Sequence, residues 1–208
     1  MADPFEKKAA TWDTRRKQEM TENILKKILE HAPLKPEMTV LDYGAGTGLI
    51  SLKIAPNVKK VVAVDQSREM LKMLERKQSA TSLNNIEVVH GDLERGELNI
   101  PKVDMIITSM TFHHMENISL AVDHFQKLLK EEGFLAVADL EKESGDFHAD
   151  KTGVYHSGFE KEELSEILEA RGFAVLICER VERIAKVNKR GEKKEYPVFL
   201  IVARKNTP

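Results

Sequence analysis

The sequence predicts an α/β protein, a doubly wound and mostly parallel sheet that ends in an antiparallel hairpin. Three observations carry this. Between Thr39 and Ala138, short apolar runs alternate with amphipathic helical segments, and such alternation builds successive βα units. The runs are apolar at almost every position, as expected of strands covered by helices on both faces. The chain then closes on two β-rich runs joined by the polar, glycine-containing stretch NKRGEKK, the pattern of a hairpin.

Each element has a local reason. Met20, Ile24, Leu25, Ile28 and Leu29 recur at helical spacing, and Pro33 and Pro36 close a first helix reaching to about Lys35. Thr39–Tyr43 is a short buried strand running into Gly44, and a short helix fits Thr47 to Ala55 before Pro56. Val61–Asp65 is the second strand. Ser67 caps the helix that follows, with Met70, Leu71, Met73 and Leu74 on its core face. Ile86–Val89 and Val103–Ser109 are the third and fourth strands. Asn117 caps a helix with Ala121, His124, Phe125 and Leu128 inward, Gly133 ends it, and Phe134–Ala138 is the fifth strand. A last helix spans about Lys161 to Arg171, before β-rich runs at Ala174–Val187 and Pro197–Ala203. Residues 1–208 then form a single domain. Its parts are a helical cap (1–35), a ligand-binding core (36–140), and a loop, helix and edge hairpin (141–208). The polar stretch 141–158 is long for a plain connection and reads as a functional lid.

Composition narrows the class. The chain of 208 residues is 41% hydrophobic and 32% charged, with 32 Lys+Arg against 34 Asp+Glu and a net charge of −2. That balance fits a globular protein and disfavours a general nucleic-acid binder. The basic cluster Lys189, Arg190, Lys193 and Lys194 is interspersed with Glu192 and Glu195 and reads as a solvated hairpin tip. Cys178 is the one cysteine, so a disulfide framework is excluded and a reducing compartment expected. With no apolar leader and no run long enough to span a bilayer, a cytoplasmic location is expected.

VLDYGAGTGLIS, Val40 to Ser51, is the most informative segment. Glycines at 44, 46 and 48, with Ala45 between the first two, bend a strand into a helix and let a ligand approach bare backbone. The spacing differs from the G-x-G-x-x-G of pyrophosphate-binding turns. Asp42, two residues before the turn, would repel a pyrophosphate and suit an ammonium. Asp65 ends the second strand 21 positions after Gly44, where an acid can take both hydroxyls of a ribose. After the third strand, Gly91 and Asp92 offer a turn and an acceptor for an adenine amino group, and Leu93 a surface for its ring.

Together these residues resemble the class I S-adenosylmethionine-dependent methyltransferases. VLDYGAGTG is similar to that family's first motif, VVAVD to its second-strand acid, GDLE to its adenine motif and VDMIITSMTFHHM to its fourth-strand segment. FEKKAATWD and HHM further resemble the ubiquinone/menaquinone-biosynthesis type of small-molecule methyltransferase. The resemblance implies a Rossmann-like fold and S-adenosyl-L-methionine as cofactor, leaving as S-adenosyl-L-homocysteine. Asp42, Gly44, Ala45, Gly46 and Gly48 would serve its methionine end, Asp65 and Gln66 the ribose, Gly91, Asp92 and Leu93 the adenine. Thr108 and Ser109 would lie beside the sulfonium.

The acceptor end carries less motif content. His113 and His114, after the fourth strand, are the catalytic candidates, since imidazole moves protons near neutrality. Trp12, Phe112, Glu141, Phe147, His148 and His156 are candidates for the acceptor pocket. Met105, Met110 and Met115 could soften its walls, whereas Met70 and Met73 read as core. No metal is expected, because the adjacent histidines lack helical i, i+4 spacing and no third ligand stands near them in sequence. The segment Ser109-Met110-Thr111-Phe112 lacks the N/D-P-P-aromatic run of adenine-in-DNA and glutamine-in-protein methylation. The leading expectation is therefore methyl transfer to a small-molecule acceptor. The alternatives are a nicotinamide-dependent oxidoreductase using the same glycine turn, or a non-catalytic methyltransferase-like binding protein.

Overall fold

The computed structural model describes residues 6, 8–96, 98–187 and 191–207. Seven strands form one sheet: β1 (Thr39–Tyr43), β2 (Lys60–Asp65), β3 (Ile86–His90), β4 (Val103–Ser109), β5 (Leu129–Leu140), β6 (Phe173–Val187) and β7 (Lys193–Lys205). Their order is β3-β2-β1-β4-β5-β7-β6. The first five run parallel, while β7 pairs antiparallel with both β5 and β6. The hairpin therefore inserts its second strand against β5 and leaves β6 on the edge.

Side chains alternate across a strand, and here the alternation sorts two cores. Val40, Val61, Ala63, Met105 and Ile107 face one cluster, covered by Ile24 and Ile28 of α1 (Arg15–His31), Ile50 and Ile54 of α2 (Leu49–Ile54) and Leu74 of α3 (Arg68–Ser79). Leu41, Val62, Val64 and Ile106 face the other. There they meet Ala121, Val122 and Phe125 of α4 (Ile118–Leu128) and Leu164 and Leu168 of α5 (Lys161–Glu169). Capping follows the sequence: Ser67 Oγ accepts from Met70 N–H and Asn117 Oδ1 from Leu120 N–H.

Several boundaries differ from expectation, among them β7, which starts at Lys193 rather than Pro197. The first helix stops at His31, short of Lys35. The second starts at Leu49 rather than Thr47, because Gly48 takes a left-handed φ of 81° and Thr47 is drawn into a hydrogen bond with Asp13. Gly133 does not end α4. The chain passes from Leu128 directly into β5, and Glu132 takes the left-handed φ of 61°. A Cβ at 133 would lie 2.9 Å from the Lys130 carbonyl oxygen and 3.1 Å from that of Asp104. Glycine is needed there for close strand approach rather than for a helix stop.

The stretch 141–158 is tied down by backbone hydrogen bonds, Lys142 N to Phe159 O, Glu143 N to Ser157 O, and both Tyr155 N and His156 N to His113 O. Asn188, Lys189 and Arg190 of the hairpin turn lie outside the described residues, as do Phe5 and Lys7 of FEKKAATWD. Lys194 pairs with Asp146 of the 141–158 loop. β1 and β4 are neighbours whose crossovers leave in opposite directions along the sheet. Ligands of open α/β sheets bind at such a switch point, outside the carboxyl ends of the strands.

Candidate active site

The glycine turn is pinned to the end of β2. Gly44 N–H and Ala45 N–H both donate to Val64 O, at 2.8 and 3.0 Å. Asp65 completes the link: one carboxylate oxygen accepts from Gly46 N–H at 2.7 Å and the other from Ser67 N–H at 2.8 Å. At Gly46 (φ 55°) an added Cβ would have Trp12 Nε1 as its nearest neighbour, 3.9 Å away. It would project into the open cradle beneath Trp12. Gly48 serves packing instead, since a Cβ there would sit 2.2 Å from Leu74 Cδ1.

Asp42 lies buried beneath the turn and accepts from Ser51 N–H (3.0 Å) and Ser51 Oγ–H (2.6 Å). Burial pushes its carboxyl up to about 6; the Ser51 hydrogen bonds pull the other way, and the Asp65 charge adds to the rise. Asp92 caps its own turn by accepting from Glu94 N–H and pairs with Arg95 at 3.2 Å.

These groups line one end of a cavity of about 530 Å³, a size suited to a cofactor or small ligand. Asp42, Gly44, Ala45, Gly46, Asp65, Gln66, Gly91, Asp92 and Ser109 all lie in its wall, as do Trp12, Phe147, His148, His113 and His114. The N-terminal segment covers the mouth. Asp13 accepts from Thr47 Oγ1–H and from Lys77 Nζ at 2.6 Å, and the Lys17 ammonium sits 3.1 Å from the Trp12 ring centroid. Burial brings the Lys17 ammonium down to about 8, against the pull of Asp13.

The far end is built from imidazoles. His113 is buried, and its Nδ1 lies 2.6 Å from Asp139 Oδ1. Burial alone would raise the Asp139 carboxyl, but the charge and hydrogen bonds of His113 hold it below the usual carboxylate range. His114 Nδ1 lies 2.6 Å from the Gly153 carbonyl oxygen. Burial first, then neighbouring His113, brings His114 down to about 4; burial, then His113 and His114, brings His148 to about 3. The three rings gather with one nitrogen of each within 4.8 Å of the others. The sequence expectation of no metal rested on a missing third ligand, and that ground is corrected here: the 141–158 loop carries His148 to the pair.

Six predicted residues fall outside the cavity wall, among them Thr108, buried in β4. Leu93 is buried in the second core, with its N–H donating to Tyr43 Oη. Gly48 packs on Leu74. Phe112 is wholly buried between Phe125 and Phe159. Glu141 turns outward to a two-pronged pair with Arg180. His156 lies against Phe159 in a separate groove beside α4 and α5. Of the methionines, Met110 and Met115 line the cavity and Met105 is core; Met70, expected as core, also reaches the wall. Sequence reasoning named Met110 for the wall but missed Lys17 and Lys186. Met110 has a left-handed φ of 57°, and its N–H donates to Ala138 O. Non-glycine residues in that region concentrate at functional sites, but nothing in a one-letter sequence announces it.

Comparison with known proteins agrees with this geometry. A family model described as a methyltransferase domain matches residues 40–133. An uncharacterised methyltransferase of Schizosaccharomyces pombe is 30% identical over 138 residues, covering 60% of this chain and 49% of the relative. The ribosomal RNA small subunit methyltransferase A of Syntrophus aciditrophicus is 30% identical over 122 residues, covering 50% and 43%. The (S)-coclaurine N-methyltransferase of Thalictrum flavum is 27% identical over 135 residues, covering 64% and 35%. The chain thus spans less than half the length of each of these relatives. The crystal structure of an S-adenosylmethionine-dependent methyltransferase from Aquifex aeolicus superposes with a TM-score of 0.72 at 26% identity, covering 98% of this chain and 99% of that one. The matched methyltransferase domain lies over the strands that deliver Asp42, Asp65 and Asp92, and over nearly its whole length the chain is similar in fold to an S-adenosylmethionine-dependent methyltransferase.

Proposed function

We propose that the chain, acting as a single domain in the cytoplasm, transfers the methyl group of S-adenosylmethionine to a small-molecule acceptor. The observation that carries this is the continuity of one cavity. It begins at Asp65, hydrogen-bonded to the glycine turn, and runs beneath Trp12 to His113, His114 and His148. The donor set at its first end suits the cofactor. Asp42 is a buried carboxylate held by Ser51 and repelled by Asp65, and an ammonium brought there would favour its ionised form. Asp65 accepts from Gly46 N–H and Ser67 N–H, and a carboxylate at the end of β2 is the kind of acceptor that ribose hydroxyls require. Asp92 can accept from an adenine amino group, and Gly46 leaves the cradle unfilled.

Bound S-adenosylmethionine supplies a methyl group on a sulfonium already activated as a leaving group. The protein then has to align the partners and exclude water. Trp12 and Lys17, tethered through Asp13, close the mouth over the glycine turn. Ser109 and Met110 line the middle of the cavity. His113 and His114 contact the acceptor, with His113 held in place by Asp139. The enclosure supports a small acceptor, and the acidic cofactor end contrasts with Lys17 and Lys186 in the rest of the wall. An RNA acceptor, as the name of one relative describes for that protein, would call for a basic, aromatic track across the surface.

Calorimetric titration with S-adenosylmethionine and S-adenosylhomocysteine tests the reading. Both should bind one per chain. Asp65→Ala removes two charge-assisted hydrogen bonds, each worth roughly 1.5 kcal/mol, and should weaken binding about 100-fold. Asp65→Asn should weaken it less, which separates ribose recognition from collapse of the turn. Unchanged affinity in both variants would sink the ribose assignment.

A further inference from the structure

The three imidazoles at the acceptor end come from two separate parts of the chain. His113 and His114 leave β4 through a short 3₁₀ turn, and His148 arrives from the loop after β5. Their ring centroids lie 4.1 Å (His113–His114), 4.9 Å (His113–His148) and 5.5 Å (His114–His148) apart. One ring nitrogen from each falls within 4.8 Å of the other two. All three residues line the cavity.

The hydrogen bonds behind the rings fix their orientation. The Gly153 carbonyl, 2.6 Å from His114 Nδ1, can only accept. His114 therefore carries its proton on Nδ1 and its lone pair on Nε2. Asp139 is placed to orient His113 in the same way: it is fully buried, sits 2.6 Å from His113 Nδ1, and is itself held by Leu140 N–H at 2.7 Å. Metal-ligating histidines are oriented in this way, one nitrogen donating to a carboxylate or carbonyl and the other presented to the ion.

We propose that His113, His114 and His148 form a binding site for a divalent transition-metal ion of the zinc type at the acceptor end of the cavity. Imidazole donors without oxygen ligands favour zinc, cobalt or nickel over magnesium or calcium. Three protein ligands leave a fourth tetrahedral position open towards the cavity, as catalytic zinc sites do. A hydroxyl or thiol of the acceptor would occupy it as an anion: the O–H or S–H bond breaks, the proton passes to water, and the heteroatom bonds to the ion. Lys186 and Lys8 also face His148, so an anionic fourth ligand offsets the positive charge gathered there. The acceptor's role rests on the methyl-transfer reading. The metal site does not, and its test reads metal alone.

The full chain is stripped with chelator and titrated with Zn²⁺ by calorimetry, without cofactor or acceptor, and separately with Co²⁺ by visible absorption. One ion per chain and an intense tetrahedral cobalt spectrum are expected. His148→Ala, a change in a half-buried loop ring, should weaken binding at least tenfold. Asp139→Asn should weaken it by about 10- to 100-fold, with folding checked by circular dichroism; should that variant not fold, His148→Ala decides. His31→Ala, on the exposed end of α1, should leave affinity unchanged. Absence of stoichiometric binding, or a site that survives His148→Ala, overturns the proposal. S-adenosylhomocysteine titrated in parallel separates the two readings. Its normal binding beside absent metal binding removes only the metal site, and the reverse removes only the methyl-transfer reading.

Discussion

Asp42 is the residue whose charge is hardest to sustain. It is buried at the end of β1, and its carboxyl is raised to about 6 by burial, with the Ser51 hydrogen bonds opposing and Asp65 assisting the rise. An acid raised in the folded state contributes stability below its unfolded pKa of about 3.9 and loses it as pH climbs through the folded value. The wild-type chain therefore gives up roughly 3 kcal/mol at most between strong acid and neutrality through this one group. Asp42→Asn escapes that loss. In urea unfolding, the variant's stability relative to wild type should improve by about 2 kcal/mol from about pH 4.5 to about pH 7.5, while its affinity for S-adenosylmethionine falls. A pH-independent difference would mean that Ser51 alone sustains the charged form. Residues of this kind were legible because a strand end and a glycine turn fix their position. Phe112 was not: on a 3₁₀ turn adjacent side chains diverge by about 120°, so His113 reaches the cavity while Phe112 turns into the core.

Among the elements, the segment before α1 acts as a strap. Asp13 joins it to the glycine turn through Thr47 and to α3 through Lys77, and both the Asp13 and Lys77 side chains keep about a quarter of their exposure. Partly exposed ion pairs contribute about 1 kcal/mol or less. Asp13→Ala should therefore shift the unfolding free energy by under about 1 kcal/mol, yet weaken cofactor binding several-fold as Trp12 and Lys17 lose their tether. Paired unfolding and calorimetric measurements would show this split; a large stability loss with unchanged affinity would make the strap purely structural. Most elements could be read in the sequence, because period and capping residues signal them directly, as at Ser67 and Asn117. Gly133 misled, because a glycine after an apolar helix looks like a helix stop. Its real constraint, the carbonyls of Lys130 and Asp104, exists only once β4 and β5 have met. His148 stayed hidden for a related reason: a loop has no period to say where its side chains arrive.

At the scale of the whole molecule, the cavity joins parts of the chain that otherwise pack separately. Its walls draw on the strap, the carboxyl ends of β1, β2 and β4, the 141–158 loop and the far end of β6 at Ile184 to Lys186. A ligand filling it binds the folded state alone, and so stabilises every wall at once. At 100 times its dissociation constant, S-adenosylhomocysteine should add about 2.7 kcal/mol, raising the unfolding temperature by roughly 5–10 °C for a chain of this size. The same ligand should slow trypsin at Lys142 and Lys151, both exposed on the loop, because Phe147 and His148 between them are held in the wall. Asp65→Ala, binding about 100-fold more weakly, should cut the stabilisation to about 0.4 kcal/mol at the same ligand concentration and weaken the loop protection with it. A thermal shift without loop protection would confine the ligand's grip to the glycine-turn end, and the loop would then have to close on the acceptor rather than on the cofactor.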